Sequence, residues 1–387
     1  MQMRNGPYLA FPVNAHHNAW LDVLRSLAII LVLLRHGSGI DAGGIREGLA
    51  ASLFRNGWVG VDLFFVLSGY LITAGLLRRS SAEPGRFVPS RYFIDRILRI
   101  VPSYYAVLVL CVIGFFPGFM AAAPDLGKSF VAHLLFLQDY TGADINVVFW
   151  SLGLEEKFYI LAPLLVIVLV RLRSFVSFAA FAAFLLLISP VSRGIAFEGL
   201  NADVTYSEFF QYLRSPFHMS LEGFVFGIMV ALLQSRGIVL SARRASQGLG
   251  VGLIALVIWI CSHEFLAHIT RFDVWLRPTA LAALFAWIVW CAVALGDRRP
   301  ACEPFFRVNA RLSYSLYLVH FPLLPLATSL GQDEGPAVFW FCYLGLSYVA
   351  ALAVHFGVEK AFMQLKPGQP GPRPVPSAFP KTEAMPS

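Results

Sequence analysis

Apolar residues in this chain gather into long, nearly uncharged runs, separated by short polar stretches that hold most of the arginines. Ten such runs centre on residues 20–36, 57–77, 97–119, 150–170, 175–190, 216–234, 247–262, 278–295, 312–330 and 337–358. A helix of about 20 residues crosses a hydrocarbon core of about 30 Å, and most of the runs are of that order. The pattern predicts an all-α, polytopic integral membrane protein with about ten transmembrane helices. The apolar piece at 130–138 is too short to cross and reads as a re-entrant or interfacial element.

Composition agrees with that pattern. Of 387 residues, 57% are hydrophobic and 14% charged, and a soluble domain of this length would carry far more charge. The 34 Phe and 8 Trp suit lipid-facing and interfacial surfaces. The five cysteines lie mostly inside apolar runs without CxxC spacing, so they imply neither a disulfide framework nor a zinc site, and no metal is expected.

A net charge of +7 raises the question of nucleic acid, but the basic residues are dispersed between apolar runs. Topology accounts for them better. With the N-terminus cytoplasmic, alternate loops divide the basic residues 20 inside against 7 outside, the outside set including Arg193 and Arg214. Arg25, Arg35 and Lys157 are left outside both sets, within runs. The expectation is an even number of spans with both termini cytoplasmic. A cytoplasmic segment 1–18, a membrane domain 19–362 and a Pro-rich disordered tail 363–387 complete the organisation, and no cleavable signal peptide is apparent.

The candidate chemistry lies in charges that these runs retain. In "LDVLRSLAIILVLLRHG", Arg25 and His36 are eleven positions apart, hence within about 20° on one helix face and about 16 Å apart along the axis. The plainer alternative has Arg25 and Arg35 snorkelling to opposite interfaces, with His36 a boundary residue. "GVDLFFVLSGYLI" adds Asp62 and Ser68, with Gly69 allowing close helix approach; alternatively Asp62 pairs with an arginine of another span.

"FIDRILRIVPSYY" places Arg96 and Arg99 three apart at a cytoplasmic helix start, where free N–H groups favour an anion such as the phosphates of a cofactor. The alternative there is an ordinary positive-inside anchor. "FWSLGLEEKFYILAPLL" carries Glu155 and Glu156, expected a turn or two below the outer interface, away from Arg96, where a buried carboxylate can serve in proton transfer. Pairing of either with Lys157 or Arg35 is the alternative. In "RLSYSLYLVHFP", Ser313, Tyr317 and His320 recur on one face, and taken alone His320 reads as a hydrogen-bonding group within the bundle.

Five motifs in this order, from about Leu21 to about Lys360, resemble the acyltransferase family 3, multi-span bacterial membrane enzymes that decorate envelope sugars and some small molecules. They are "LDVLRSLAIILVLLRH", "GVDLFFVLSGYLI", "RILRIVP", "WSLGLEEKFY" and "SYSLYLVHFP". The resemblance implies a bacterial inner-membrane O-acyltransferase using acetyl-coenzyme A or another acyl-CoA as co-substrate. It makes Arg25, His36 and Glu155 catalytic candidates, with Arg96, Arg99 and Arg25 binding the donor. Two departures stand out: "DVLRSLA" lacks the glycines that usually follow the Asp and the Arg, and no C-terminal esterase-like domain is present in the sequence.

On this reading, donor phosphates dock near Arg96, Arg99 and Arg25. His36, with an ordinary pKa of about 6.5, removes the acceptor hydroxyl's proton or carries the acyl group transiently. Glu155 orients the imidazole or holds the acceptor, its side chain aimed by Trp150 and Tyr159. Asp62, Ser68, Trp150, Tyr159, Tyr317 and His320 are the candidate acceptor-side residues. The partners implied are a lipid bilayer, an acyl-CoA, a carbohydrate acceptor and a further copy of the chain in a homo-oligomer, without nucleic acid. A macrolide-like acceptor is the near alternative. A proton-coupled transporter or flippase would show an internal repeat with broken helices, and the two halves share neither motifs nor loop lengths; a sensor or scaffold would tolerate substitution of Arg25 and His36.

Overall fold

The computed structural model describes residues 18–39, 44, 48–82, 89–172, 174–200, 204–262, 269–296 and 298–366. Among them the chain is all-α, with no strand. Its helices are α1 (Ala19–Ser38), α2 (Gly48–Arg55), α3 (Val59–Ala82), α4 (Pro89–Val112), α5 (Leu126–Leu134), α6 (Gln138–Thr141), α7 (Trp150–Arg171), α8 (Phe175–Glu198) and α9 (Tyr206–Glu208). They continue with α10 (Leu221–Ser235), α11 (Ala242–Ser262), α12 (Arg271–Trp275), α13 (Arg277–Leu295), α14 (Glu303–Val319), α15 (Leu324–Gly331), α16 (Pro336–Val354) and α17 (Lys360–Met363). The expected N-terminal segment and Pro-rich tail lie, apart from Asn18 and residues 363–366, outside the described residues.

Each of the ten apolar runs has a helix within it. Among the described residues five helices are long and apolar enough to cross a membrane: those at Val59–Arg79, Phe175–Glu198, Ala242–Cys261, Arg277–Leu295 and Pro336–Met363. The long helices outside that set include α1, α4 and α7, which carry the charges singled out above, Arg25 and Arg35, Arg96 and Arg99, Glu155 and Glu156. Ionisable groups at membrane depth face protein or a water-filled cavity, and here they turn toward the centre of the bundle.

Two runs differ from the helices found. The third was expected at 97–119, whereas α4 begins at Pro89 and ends at Val112. Its first two turns are amphipathic and so invisible to an apolar-run criterion, and Gly114 takes a positive φ of 70° just beyond its end. The ninth, 312–330, is two helices, α14 and α15, with Pro322 and Pro325 at the break. A proline there removes a donor and crowds the preceding turn. The short piece at 130–138 forms α5 and leads into α6.

α1 packs most closely against α14 and α3 and also touches α13 and α16. Asn18 caps it, its side chain accepting from the Trp20 N–H at 3.0 Å, and Asp22 near the start with Arg35 near the end complement the helix dipole. The most extensive helix contact is between α3 and α10. It is possible because Gly69 and Gly227 face each other's backbone: a Cβ on Gly69 would meet the Phe224 carbonyl, and one on Gly227 the Val66 carbonyl.

Candidate functional site

Two cavities meet inside the bundle. The larger, about 680 Å³, is lined at the N-terminal end of α1 by Asp22 and Arg25, by Arg78 of α3, and by Arg96 and Arg99 of α4. Four arginines on one cavity suit a polyanionic ligand. Arg96 lies between aromatic rings, its guanidinium carbon 5.8 Å from the Tyr92 centroid and 5.7 Å from that of Tyr159. Deeper in the same cavity Glu155 accepts hydrogen bonds from the Ser68 hydroxyl at 3.1 Å and the Tyr159 hydroxyl at 2.8 Å.

The second cavity, about 270 Å³, lies at the C-terminal end of α1. His36 and Arg35 open onto it, and Trp58, Trp150, Tyr206, Phe209, Phe210 and Phe321 supply aromatic wall. Val61 and Tyr317 line both cavities and so form the partition between them. The partition is tethered: the Tyr317 hydroxyl donates to the Val148 carbonyl at 2.9 Å and accepts from Ser151 at 2.7 Å.

His36 is oriented by a second histidine. His320 Nδ1 lies 3.0 Å and 2.9 Å from the carbonyl oxygens of Leu316 and Tyr317. Carbonyls only accept, so in the neutral ring Nδ1 carries the proton and Nε2 is the acceptor. His36 Nδ1 faces that Nε2 at 3.1 Å and the Val32 carbonyl at 3.1 Å, two acceptors, so it too is the protonated nitrogen. The hydrogen-bond network thereby assigns His36 the tautomer whose Nε2 lone pair is left for chemistry.

The acyltransferase domain family, Acyl_transf_3, matches residues 18–356. The chain belongs to this family. A putative peptidoglycan O-acetyltransferase of Bacillus subtilis, YrhL, is 27% identical over 366 residues, covering 88% of this chain and 54% of that protein. The peptidoglycan O-acetyltransferase OatA of Listeria monocytogenes is 29% identical over 167 residues, 39% of this chain and 24% of that protein. Putative O-acetyltransferases of Staphylococcus aureus are 28% identical over 170 residues. The chain thus spans about half of the first of these relatives and a quarter of the second. No solved structure matches.

For a member of the family, the placement of the expected residues is informative. Arg25, Ser68, Arg96, Arg99, Glu155 and Tyr159 share the larger cavity, and Tyr317 belongs to both. Glu155 was expected on the side away from Arg96; it lines the same cavity, because it lies more than one turn into α7 from Trp150 and the α4 arginines reach inward. It does not orient His36, which is the part His320 plays, and it is aimed by Tyr159 and Ser68 rather than by Trp150. Trp150 lines the His36 chamber instead.

Asp62 and His320 line neither cavity. His320 is fully buried behind His36. The Asp62 carboxylate accepts from Arg214 at 2.9 Å, the inter-segment ion pair that the sequence offered as its alternative. Lys157 pairs with neither neighbouring glutamate; its ammonium donates to Asp139 at 2.6 Å and to the Phe136 carbonyl at 2.5 Å, fixing the start of α7 against α5 and α6. Arg193 and Arg214, placed among external anchors by charge counting, are 1% and 7% exposed, Arg193 pairing with Glu222 at 2.6 Å.

Proposed function

We propose that this protein is an O-acyltransferase of the bacterial inner membrane that moves an acyl group, acetyl in the simplest case, from acyl-coenzyme A to a hydroxyl of a cell-envelope or exported carbohydrate. The observation that carries this reading is the shared partition. An arginine-lined cavity and a histidine-bearing aromatic chamber meet at Tyr317 and Val61, as a donor and an acceptor approaching from opposite membrane faces require. Ten spans with both termini cytoplasmic place Arg25, Arg78, Arg96 and Arg99 on the cytoplasmic side, where acyl-CoA is found. The acetylated cell-wall polymer in the names of the Bacillus and Listeria relatives supports a carbohydrate acceptor.

Within this reading, Arg96, Arg99 and Arg25 hold the donor's phosphates, and the cavity leads its acyl end toward the partition. Arg25 and His36 are about 16 Å apart along α1, a span suited to an extended pantetheine arm. His36 Nε2 takes the proton of the acceptor hydroxyl as that oxygen bonds to the acyl carbon and the carbon–sulfur bond breaks. The imidazolium then returns the proton to the departing thiolate. Glu155, held by the Ser68 and Tyr159 hydroxyls, lines the donor cavity beside the arginines.

The test is mass analysis of surface glycans and extractable metabolites from cells expressing the wild type, His36→Ala or Arg25→Ala at matched membrane levels. An O-acyl increment seen only with the wild type is expected. An increment that survives both substitutions overturns the assignment of these residues, and its absence from every sample overturns the reaction.

A further inference from the structure

The wall of the His36 chamber contains a cation that the mechanism does not use. The turn Phe209–Arg214 is π-helical, a geometry often found at functional sites, and follows a capping box in which Thr205 and Glu208 satisfy each other's backbone N–H. It delivers Arg214 between two indoles, the guanidinium carbon 4.8 Å from the Trp58 ring centroid and 5.3 Å from that of Trp150. One edge is claimed: Nη2 donates to Asp62 at 2.9 Å. Among the described residues no other side-chain hydrogen bond of Arg214 is present, while the residue lines the chamber beside His36.

We propose that Arg214 is an acceptor-binding residue, whose free N–H edge holds the hydroxyls of an uncharged sugar ring while the neighbouring hydroxyl faces His36. Three observations lead there. The carboxylate of Asp62 neutralises the Arg214 guanidinium, so this pair offers directional donors and adds no net charge to a chamber whose other lining cation is Arg35. Half of the chamber's lining is aromatic, and ring faces accept the C–H surfaces of a sugar. The stacked, pinned guanidinium is held in one orientation before any ligand arrives, which limits the ordering cost of binding. An adjoining cleft of about 350 Å³ shares Val147, Phe210 and Phe321 with the chamber and leaves room for further sugar units.

This inference rests on the acyltransferase reading above, and the experiment separates the two. Wild type, Arg214→Lys and the charge-swapped double variant Asp62→Arg/Arg214→Asp are purified into nanodiscs. Acetyl-CoA consumption and product are followed with the neutral tetrasaccharide tetra-N-acetylchitotetraose as acceptor. Lysine keeps the charge and the pairing with Asp62 but loses the planar fork; the swap keeps an ion pair but moves the cation.

The expected result is a KM for the tetrasaccharide raised about tenfold or more in Arg214→Lys, with KM for acetyl-CoA held within about twofold, and no recovery in the swap. Recovery of acceptor affinity in the swap, or equal loss on donor and acceptor, reduces Arg214 to a structural ion pair and overturns the proposal. Wild type that consumes acetyl-CoA without acylating the tetrasaccharide overturns the neutral-sugar assignment and leaves the acyltransferase reading standing. Wild type that consumes no acetyl-CoA overturns both.

Discussion

His320 Nε2 sits 3.1 Å from His36 Nδ1, joining two residues 284 positions apart in the chain. Because His320 Nδ1 is committed to two carbonyls, its other nitrogen can only accept, and His36 is left with its Nδ1 protonated and Nε2 exposed to the chamber. The logic is that of a general base aligned by a partner that never touches the substrate. His320→Ala therefore lowers kcat by about 10- to 100-fold. KM for both substrates changes little, since His320 lines neither cavity. His320→Gln, whose amide oxygen can accept from Nδ1–H, recovers part of the loss. Initial rates at varied donor and acceptor check the split; equal falls in affinity for both would point to a collapsed chamber.

The Glu155 carboxylate is held by two hydroxyls, those of Ser68 and Tyr159. A hydrogen bond of this kind is worth about 0.5–1.5 kcal/mol, so Ser68→Ala and Tyr159→Phe each reduce turnover by about 2- to 10-fold. Their effects are less than additive in the double variant, because the two hydroxyls hold the two oxygens of one carboxylate. A double-mutant cycle in kcat/KM measures the coupling. Strictly additive losses would show that the two hydroxyls act on something other than Glu155.

The all-α architecture was legible from hydrophobic runs, since each run holds a helix and the family motifs fall on the helices lining the cavities. What was not legible depends on tertiary placement. Arg214 sits in a short polar stretch, where a charge reads as a surface anchor, and only the turn that feeds it between Trp58 and Trp150 shows it to be buried. His320 read as a group on one helix face, but periodicity within α14 says nothing about the ring that α1 brings against it. Tyr92 precedes Arg96 by one turn of α4, but the second ring beside Arg96 is Tyr159 of α7, a contact that spacing along one helix cannot reveal.

The α3–α10 seam makes a prediction about folding rather than chemistry. A methyl group at Gly69 or Gly227 collides with backbone of the opposing helix, which cannot move aside as a side chain tip can. Gly69→Ala and Gly227→Ala should each destabilise by about 1–3 kcal/mol, whereas Gly75→Ala, whose added Cβ meets nothing within 4 Å, is tolerated. Thermal unfolding in detergent, followed by fluorescence size-exclusion, checks the contrast. Equal midpoints for all three would mean that the two helices can separate at no cost.

Arg193 and Glu222 make a second buried pair, 2.6 Å apart and 2% and 3% exposed at the side chain, with Arg193 also donating to the carbonyls of Val274 and Met219 and to the Thr279 hydroxyl. Removing one partner strands a charge, at a cost of about 3–5 kcal/mol. Glu222→Leu should therefore abolish accumulation in the membrane, and pairing it with Arg193→Leu should restore part of it. Membrane levels by immunoblot decide. A double variant no better than the single would show that the carbonyl contacts of Arg193 matter more than its charge.

Donor recognition offers the sharpest test of the arginine cavity, because the proposed ligand can be cut at a chosen place. If Arg96 and Arg99 hold phosphates, their loss should matter only for a donor that has phosphates. Arg99→Ala is then expected to raise KM for acetyl-CoA by about tenfold or more, the value of one charge-assisted hydrogen bond in a partly desolvated site. The same substitution should leave KM for S-acetylpantetheine, which carries the thioester arm without phosphates, nearly unchanged. The wild type should prefer acetyl-CoA over the truncated donor, and that preference should narrow in Arg99→Ala and weaken with added salt, as contacts between charges do. Parallel losses on both donors would instead place Arg99 at the reacting end of the cavity, and would require the donor to lie in the opposite direction along α1.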